Sequence, residues 1–113
     1  MSETMTGISP SFSAFLSEAP AHAKAWMEAV RGLGAASALD AKTQALAYLA
    51  ILAALGRESG VPFHAAEAMA AGASRDEVIS AILVGLPLAG QGVITSLPAA
   101  LAALETPPSQ ATA

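Results

Sequence analysis

The fold of this chain depends mainly on the stretch from Asp40 to Leu86, which reads DAKTQALAYLAILAALGRESGVPFHAAEAMAAGASRDEVISAILVGL. Asp40 is a good helix N-cap, and the apolar residues that follow continue almost without a break up to Gly56. This pattern predicts a helix that is buried on every side, with the hydroxyl group of Tyr48 as its one polar exception. Since a small chain can hardly bury such a helix alone, we expect it to pack against other copies of the chain as well.

Two more helices are predicted within the same stretch. Pro62 presets the first turn of a helix that we expect to end before Gly72. Ser74 and Glu77 have the spacing of a capping box, which predicts the start of the next helix. No alternating strand pattern occurs, so we predict an all-α protein, a small bundle of about five to six helices.

The N-terminal part adds two helices to this prediction. Ser9 and Pro10 indicate the start of a short first helix. A second helix is predicted to begin near Pro20 and to end at Arg31, because Gly32 and a further glycine follow.

The C-terminal part adds a last helix and a tail. Pro98 disrupts a helix interior, so we expect this helix to start around Ser96. The prediction is a single domain over residues 9–105, with a flexible tail over residues 1–8 and a disordered tail over residues 106–113.

The composition predicts that another molecule covers part of the apolar surface of this chain, either a second copy of the chain or a membrane. Hydrophobic residues make up 54% of the 113 residues and charged residues 12%, and the mean hydropathy is +0.54. The segment from Val78 to Leu104 has no charged residue and exceeds the roughly 20 residues that span a bilayer. Because Pro87 and Pro98 interrupt it and no aromatic or basic residue flanks it, we interpret it as two buried helices around a turn. A membrane segment is the alternative.

Several classes of function are excluded or disfavoured. The chain has no cysteine, which excludes disulfides, thiolate metal sites and thiol catalysis. Its net charge is −4 with only five Lys and Arg residues, so we expect no nucleic-acid partner. The N-terminus lacks the pattern of a secretory signal, and we therefore expect a cytoplasmic location.

Four motifs follow one another along the chain: DAKTQAL, ALGRESGVPFH, AAEAMAAGAS and SRDEVISAIL. In this order and spacing they resemble the carboxymuconolactone decarboxylase family, whose superfamily also contains the alkylhydroperoxidase-like thiol enzymes. The resemblance covers about Leu39 to Leu104. It implies an alkylhydroperoxidase-like helical bundle that assembles with itself into a homotrimer or homohexamer.

The thiol-dependent branch of that superfamily does not fit. Its two cysteines correspond to Arg57 and Gly60 here, and its glutamate corresponds to Ala45. Only the histidine of that branch is present, as His64. A thiol peroxidase mechanism is therefore excluded.

The decarboxylase branch is closer, because its members are similar at Arg57, Glu58 and His64. The resemblance implies that Arg57 holds a substrate carboxylate, that His64 donates a proton, and that Glu58 orients the histidine or the substrate. Gln44 and Tyr48 on the preceding helix are candidate substrate-binding residues. The alternative for Arg57 and Glu58 is an exposed helix end, and for His64 a packed histidine bonded to a backbone carbonyl.

This chemistry needs neither a metal nor an organic cofactor, because a conjugated carbonyl in the substrate can accept the electrons that decarboxylation releases. The first hypothesis is thus a cofactor-free carboxy-lyase for a small carboxylated lactone or aromatic ring-cleavage product. The second is a catalytically inactive family member that acts as an oligomeric binding or scaffold protein. Leu88 and Thr95 favour the second hypothesis, since relatives often have tyrosine and asparagine there.

Overall fold

Helix α3 (Ala41–Leu55) contributes three buried residues to the core of the computed structural model, which describes residues 8–105. It begins as predicted, because the Asp40 side chain accepts the backbone N–H of Thr43 at 2.8 Å. It ends at Gly56, whose φ of 73° places it in the left-handed region that glycine adopts without strain.

Helices α4 (Val61–Ala70) and α5 (Arg75–Leu83) follow, and a 3₁₀ turn over Glu58–Gly60 leads into α4. The predicted capping box is confirmed at the start of α5. The Ser74 hydroxyl accepts the backbone N–H of Glu77 at 3.0 Å, and the Glu77 carboxylate accepts the backbone N–H of Ser74 at 2.9 Å. Both helices pack against α3.

The uncharged C-terminal part folds into three short pieces: α6 (Leu86–Ala89), a 3₁₀ segment over Gln91–Ser96, and α7 (Leu97–Leu104). Pro87 and Pro98 stand in the first turns of α6 and α7, where proline removes no intrahelical hydrogen bond. Between residues 8 and 105, no helix has the length and apolarity to cross a bilayer.

The core lies where α3, α4, α5 and α7 meet the 3₁₀ segment before α7. The largest fully buried apolar side chains are Leu49, Val61, Val78, Ile82 and Val93. Small buried alanines on α3, α4 and α7 let these helices approach closely.

Helices α1 (Pro10–Glu18) and α2 (Pro20–Ala36) form a hairpin that packs mainly on itself. The predicted N-cap of α1 is confirmed, since the Ser9 hydroxyl accepts the backbone N–H of Phe12 at 3.2 Å. The predicted end of α2 at Arg31 is wrong, because the helix continues to Ala36. A glycine inside a helix costs only about 1 kcal/mol relative to alanine, which is too little to end it without a capping interaction.

The described chain contains six α-helices of at least eight residues, the four-residue α6 and no strand, which confirms the predicted all-α bundle. Within one chain α3 is not buried on every side, since Ile51 and Leu55 are 54% and 64% exposed. The predicted tails, apart from Ile8, lie outside the described residues.

Candidate functional site

The candidate site begins with two rings that meet between α3 and α4. Tyr48 and His64 pack edge to face, with ring centroids 5.3 Å apart and planes inclined at 78°. The ring of Phe63 makes a second edge-to-face contact with His64 at 5.2 Å. The His64 side chain is 28% exposed. Its imidazole is therefore held by aromatic neighbours without being sealed from solvent.

Two hydrogen bonds extend this pair into a cluster of four side chains. His64 Nδ1 lies 2.9 Å from Glu67 Oε1, one turn further along α4. On α3, Gln44 Nε2 donates to Tyr48 Oη at 3.0 Å. We call Gln44, Tyr48, His64 and Glu67 the polar cluster. It joins one face of α3 to one face of α4, in a part of the fold that is otherwise rich in alanine and leucine.

A cavity of about 280 Å³ opens beside the polar cluster. Gln44, Tyr48 and Glu67 line it, while Gly34 and Leu39 bound it on the side of α2 and the α2–α3 connection. His64 is not among the described residues that line the cavity; it contacts Tyr48 and Glu67, which do. A small ligand in this cavity would therefore meet two neutral polar groups and one carboxylate.

A larger surface depression, of about 490 Å³, lies between α3 and α5. Its walls are mostly apolar, and none of the predicted site residues lines it. We therefore assign the candidate site to the smaller cavity beside the polar cluster.

The electrostatics of the site come from the start of α4 and from Glu67. His64 lies in the first turn of a ten-residue helix, where the partial positive charge of the helix N-terminus favours an anion nearby. Glu67 is the one charged residue among the described residues that line the cavity. Across residues 8–105, no group of three or more His, Asp and Glu residues could hold a metal ion.

The structure brings together three of the five residues predicted from sequence, namely Gln44, Tyr48 and His64. Arg57 and Glu58 lie between α3 and α4, and both are exposed. Within the described residues, their side chains make no hydrogen bond or ion pair with the polar cluster.

Glu67 was not singled out from the sequence, although it completes the cluster. Its signal was its spacing: residues three apart on a helix share a face, so a helix over this segment places Glu67 beside His64.

Comparison with known proteins matches residues 20–106 to the model of the carboxymuconolactone decarboxylase family. No curated protein and no solved structure matches the chain. The matched segment runs from α2 through α7 and contains the whole polar cluster, whereas α1 lies before it. Since the match covers well over half of the sequence and the fold is the expected helical bundle, this chain belongs to the carboxymuconolactone decarboxylase family.

Proposed function

We propose that this protein is a cofactor-free lyase of the carboxymuconolactone decarboxylase type, acting on a small carboxylated lactone or aromatic ring-cleavage product. The observation that carries the proposal is the polar cluster, in which the family-type histidine at the start of α4 meets a tyrosine and a carboxylate beside a cavity. Family membership supports the same class of chemistry.

The reaction needs one bond cleavage and one proton transfer. The bond between the substrate ring and its carboxyl carbon breaks, carbon dioxide leaves, and the electron pair moves into the conjugated carbonyl to give an enolate. His64 then donates a proton to carbon, which converts the enolate into the decarboxylated product. His64 is regenerated by taking a proton from solvent, which its partial exposure allows.

Tyr48 and Gln44 are proposed to bind the substrate. The Tyr48 oxygen accepts a hydrogen bond from Gln44, so its own proton is directed elsewhere and can be donated to the developing enolate oxygen. Such a donor, held in place before the reaction, stabilises charge that appears only in the transition state.

Arg57 is proposed to hold the substrate carboxylate, and Glu58 to orient the histidine or the substrate. No described cation lines the cavity, and Lys42 is engaged with Glu77 at 3.0 Å. The guanidinium of Arg57 is exposed and makes no ion pair in the described part of the chain, so it is available for a planar, two-point contact with a carboxylate.

Self-association into a homotrimer or homohexamer is part of the proposal. Nine large apolar side chains remain exposed in the described part of one chain, and they occur on α2, the α2–α3 connection, α3 and the segments after α5. Burying them against sister chains would remove this apolar surface from water. Leu39, at the edge of the cavity, is 53% exposed, so assembly could also close the site.

The test is to supply carboxymuconolactone to the purified protein and to follow the loss of its ultraviolet absorbance. We expect His64→Ala to slow turnover by about 10²-fold or more, because general acid catalysis contributes factors of that size. His22→Ala is the matched control, since His22 is an exposed histidine on α2. Equal rates for wild type and His64→Ala would contradict the assigned role.

The alternative is an inactive family member that binds ligands as an oligomer. Leu88 is 93% exposed, and the Thr95 hydroxyl donates to its own local backbone, at Gly92 O, at 2.8 Å. Neither side chain contributes to the polar cluster in this chain. Calorimetric titration with lactone acids separates the two functions: binding without turnover by the wild type would favour the alternative.

A further inference from the structure

The hydrogen bond between His64 Nδ1 and Glu67 Oε1 determines which imidazole nitrogen can exchange a proton with a ligand. An ionised carboxylate only accepts hydrogen bonds, so Nδ1 must carry the proton that lies in the 2.9 Å contact. We infer that Glu67 is a positioning residue, which holds His64 as the Nδ1–H tautomer and reserves Nε2 for proton transfer. This inference rests on the proposed function, in which His64 is the proton donor.

The local packing holds the two partners in place. Val61, Ala65 and Ala68 are fully buried and fix α4 against the core, so its exposed face has a defined orientation. On that face Glu67 follows His64 by three residues, the spacing at which helical side chains meet.

No other described group competes for Nδ1. The Tyr48 oxygen already accepts from Gln44, and its ring meets His64 edge to face. Glu58, the carboxylate predicted for this purpose from sequence, makes no hydrogen bond to His64 in the described structure. Glu67 is therefore the carboxylate that orients the imidazole, and the role left for Glu58 in the proposed function is to orient the substrate.

The charge of Glu67 fits orientation of the histidine better than contact with the substrate acid group. Glu67 lines the cavity, and its carboxylate would repel a substrate carboxylate placed against it. The same carboxylate accepts the hydrogen bond from Nδ1–H before and after Nε2 gives up its proton, so the proton on Nδ1 stays in place. Proton loss and recovery are thereby confined to one nitrogen.

The direct test reads the tautomer by nitrogen NMR of protein labelled with ¹⁵N-histidine, in alkaline buffer where imidazole is neutral. The chain has two histidines, so His22→Ala assigns the His64 signals. We expect wild-type His64 to show a protonated Nδ1 and an unprotonated Nε2. Glu67→Gln should keep this tautomer, because the amide oxygen still accepts, whereas Glu67→Ala should shift the signals toward protonated Nε2.

Kinetics give a second readout. Glu67→Ala should lower kcat by about 10-fold or more with little change in KM, because it acts on His64 and not on substrate binding, and Glu67→Gln should recover part of the loss. Glu28→Gln is the control, since it removes a carboxylate from an exposed pair with Lys24 on α2.

The outcomes separate this inference from the proposed function. A wild-type protein that turns over no lactone acid would refute the proposed function, while the tautomer would still be measured. Protonated Nε2 in wild-type His64, or an unchanged tautomer in folded Glu67→Ala, would overturn the role of Glu67 whatever the activity. Should Glu67→Ala fail to fold, the wild-type tautomer and the kcat of Glu67→Gln relative to Glu28→Gln decide the matter.

Discussion

Lys42 Nζ lies 3.0 Å from Glu77 Oε2 and 3.3 Å from Glu77 Oε1, which ties the first turn of α3 to the first turn of α5. The same carboxylate also accepts the backbone N–H of Ser74 and so completes the capping box. One side chain thus serves the start of its own helix and the packing of two helices. Its ionised form is favoured by both interactions.

Acidification should lower the stability of the fold, because it protonates the carboxylate of Glu77. The hydrogen bond from the Ser74 backbone, followed by that from Lys42, holds the pKa of Glu77 below its ordinary value of 4.5. A carboxyl group with a lowered pKa in the folded state stabilises the fold fully above its unfolded pKa, and this contribution disappears as the pH falls through the folded pKa. We therefore expect the free energy of unfolding, measured by urea denaturation, to fall as the solution is acidified below pH 4.5.

Glu77→Gln should lose less stability over that acidic interval than the wild type, because it lacks the titrating group. Glu18→Gln, an exposed substitution at the end of α1, is the control and should follow the wild type. Parallel curves for wild type and Glu77→Gln would show that Glu77 is not a source of acid sensitivity.

Leu49→Ala should strongly destabilise the protein. Leu49 is fully buried on α3, and its truncation leaves a cavity in the core, for which losses of about 2–5 kcal/mol are typical. The control is Arg31→Ala, since Arg31 is exposed on α2 and its loss should cost less than about 0.5 kcal/mol. Urea unfolding measures both, and similar losses would contradict the assigned core.

Ser96→Ala should stabilise the protein by about 1 kcal/mol. Ser96 is fully buried, and its hydroxyl has no hydrogen-bond partner in the described structure. An unpaired buried hydroxyl carries a desolvation cost of about 1–3 kcal/mol, which the alanine removes. Ser74→Ala provides the contrast, because it deletes a helix cap and should cost about 1 kcal/mol. A lower thermal midpoint for Ser96→Ala would mean that its hydroxyl is paired.

Ile51→Glu should weaken self-association. Ile51 and Leu55 lie four residues apart on α3 and are both exposed, so they form one apolar face. A charge on that face would have to be desolvated in an interface. Ser11→Glu is the control, because helix α1 carries none of the large apolar side chains that are exposed in the described part of the chain. Sedimentation without detergent should show an oligomer for wild type and control and smaller species for Ile51→Glu. A wild-type protein that sediments as a lone protomer would refute the proposed assembly.

The helix starts were predictable because their causes are local. Ser9, Asp40 and Ser74 each accept a backbone N–H from three residues further along, which depends on sequence neighbours and not on the rest of the fold. The end of α2 was not predictable in this way. A glycine inside a helix costs little free energy, so Gly32 alone does not end the helix, which continues to Ala36.

The site could be predicted only in part, for a similar reason. The helical register places Tyr48 and Gln44 on one face of α3, and the family resemblance identifies His64. The partner of His64 depends on where side chains point once α4 has formed. Glu67 makes that contact from the same helix. Glu58 lies in the turn before α4, where the direction of its side chain depends on tertiary packing that sequence spacing does not specify.

The hairpin of α1 and α2 packs mainly on itself, so this chain should not melt as one cooperative unit. Amide hydrogens of the hairpin should exchange with deuterium well before those of α3, α4 and α5. The cavity is bounded on one side by Gly34, near the end of that hairpin. Opening of the hairpin would thus give ligands a way in that leaves the deeper bundle undisturbed.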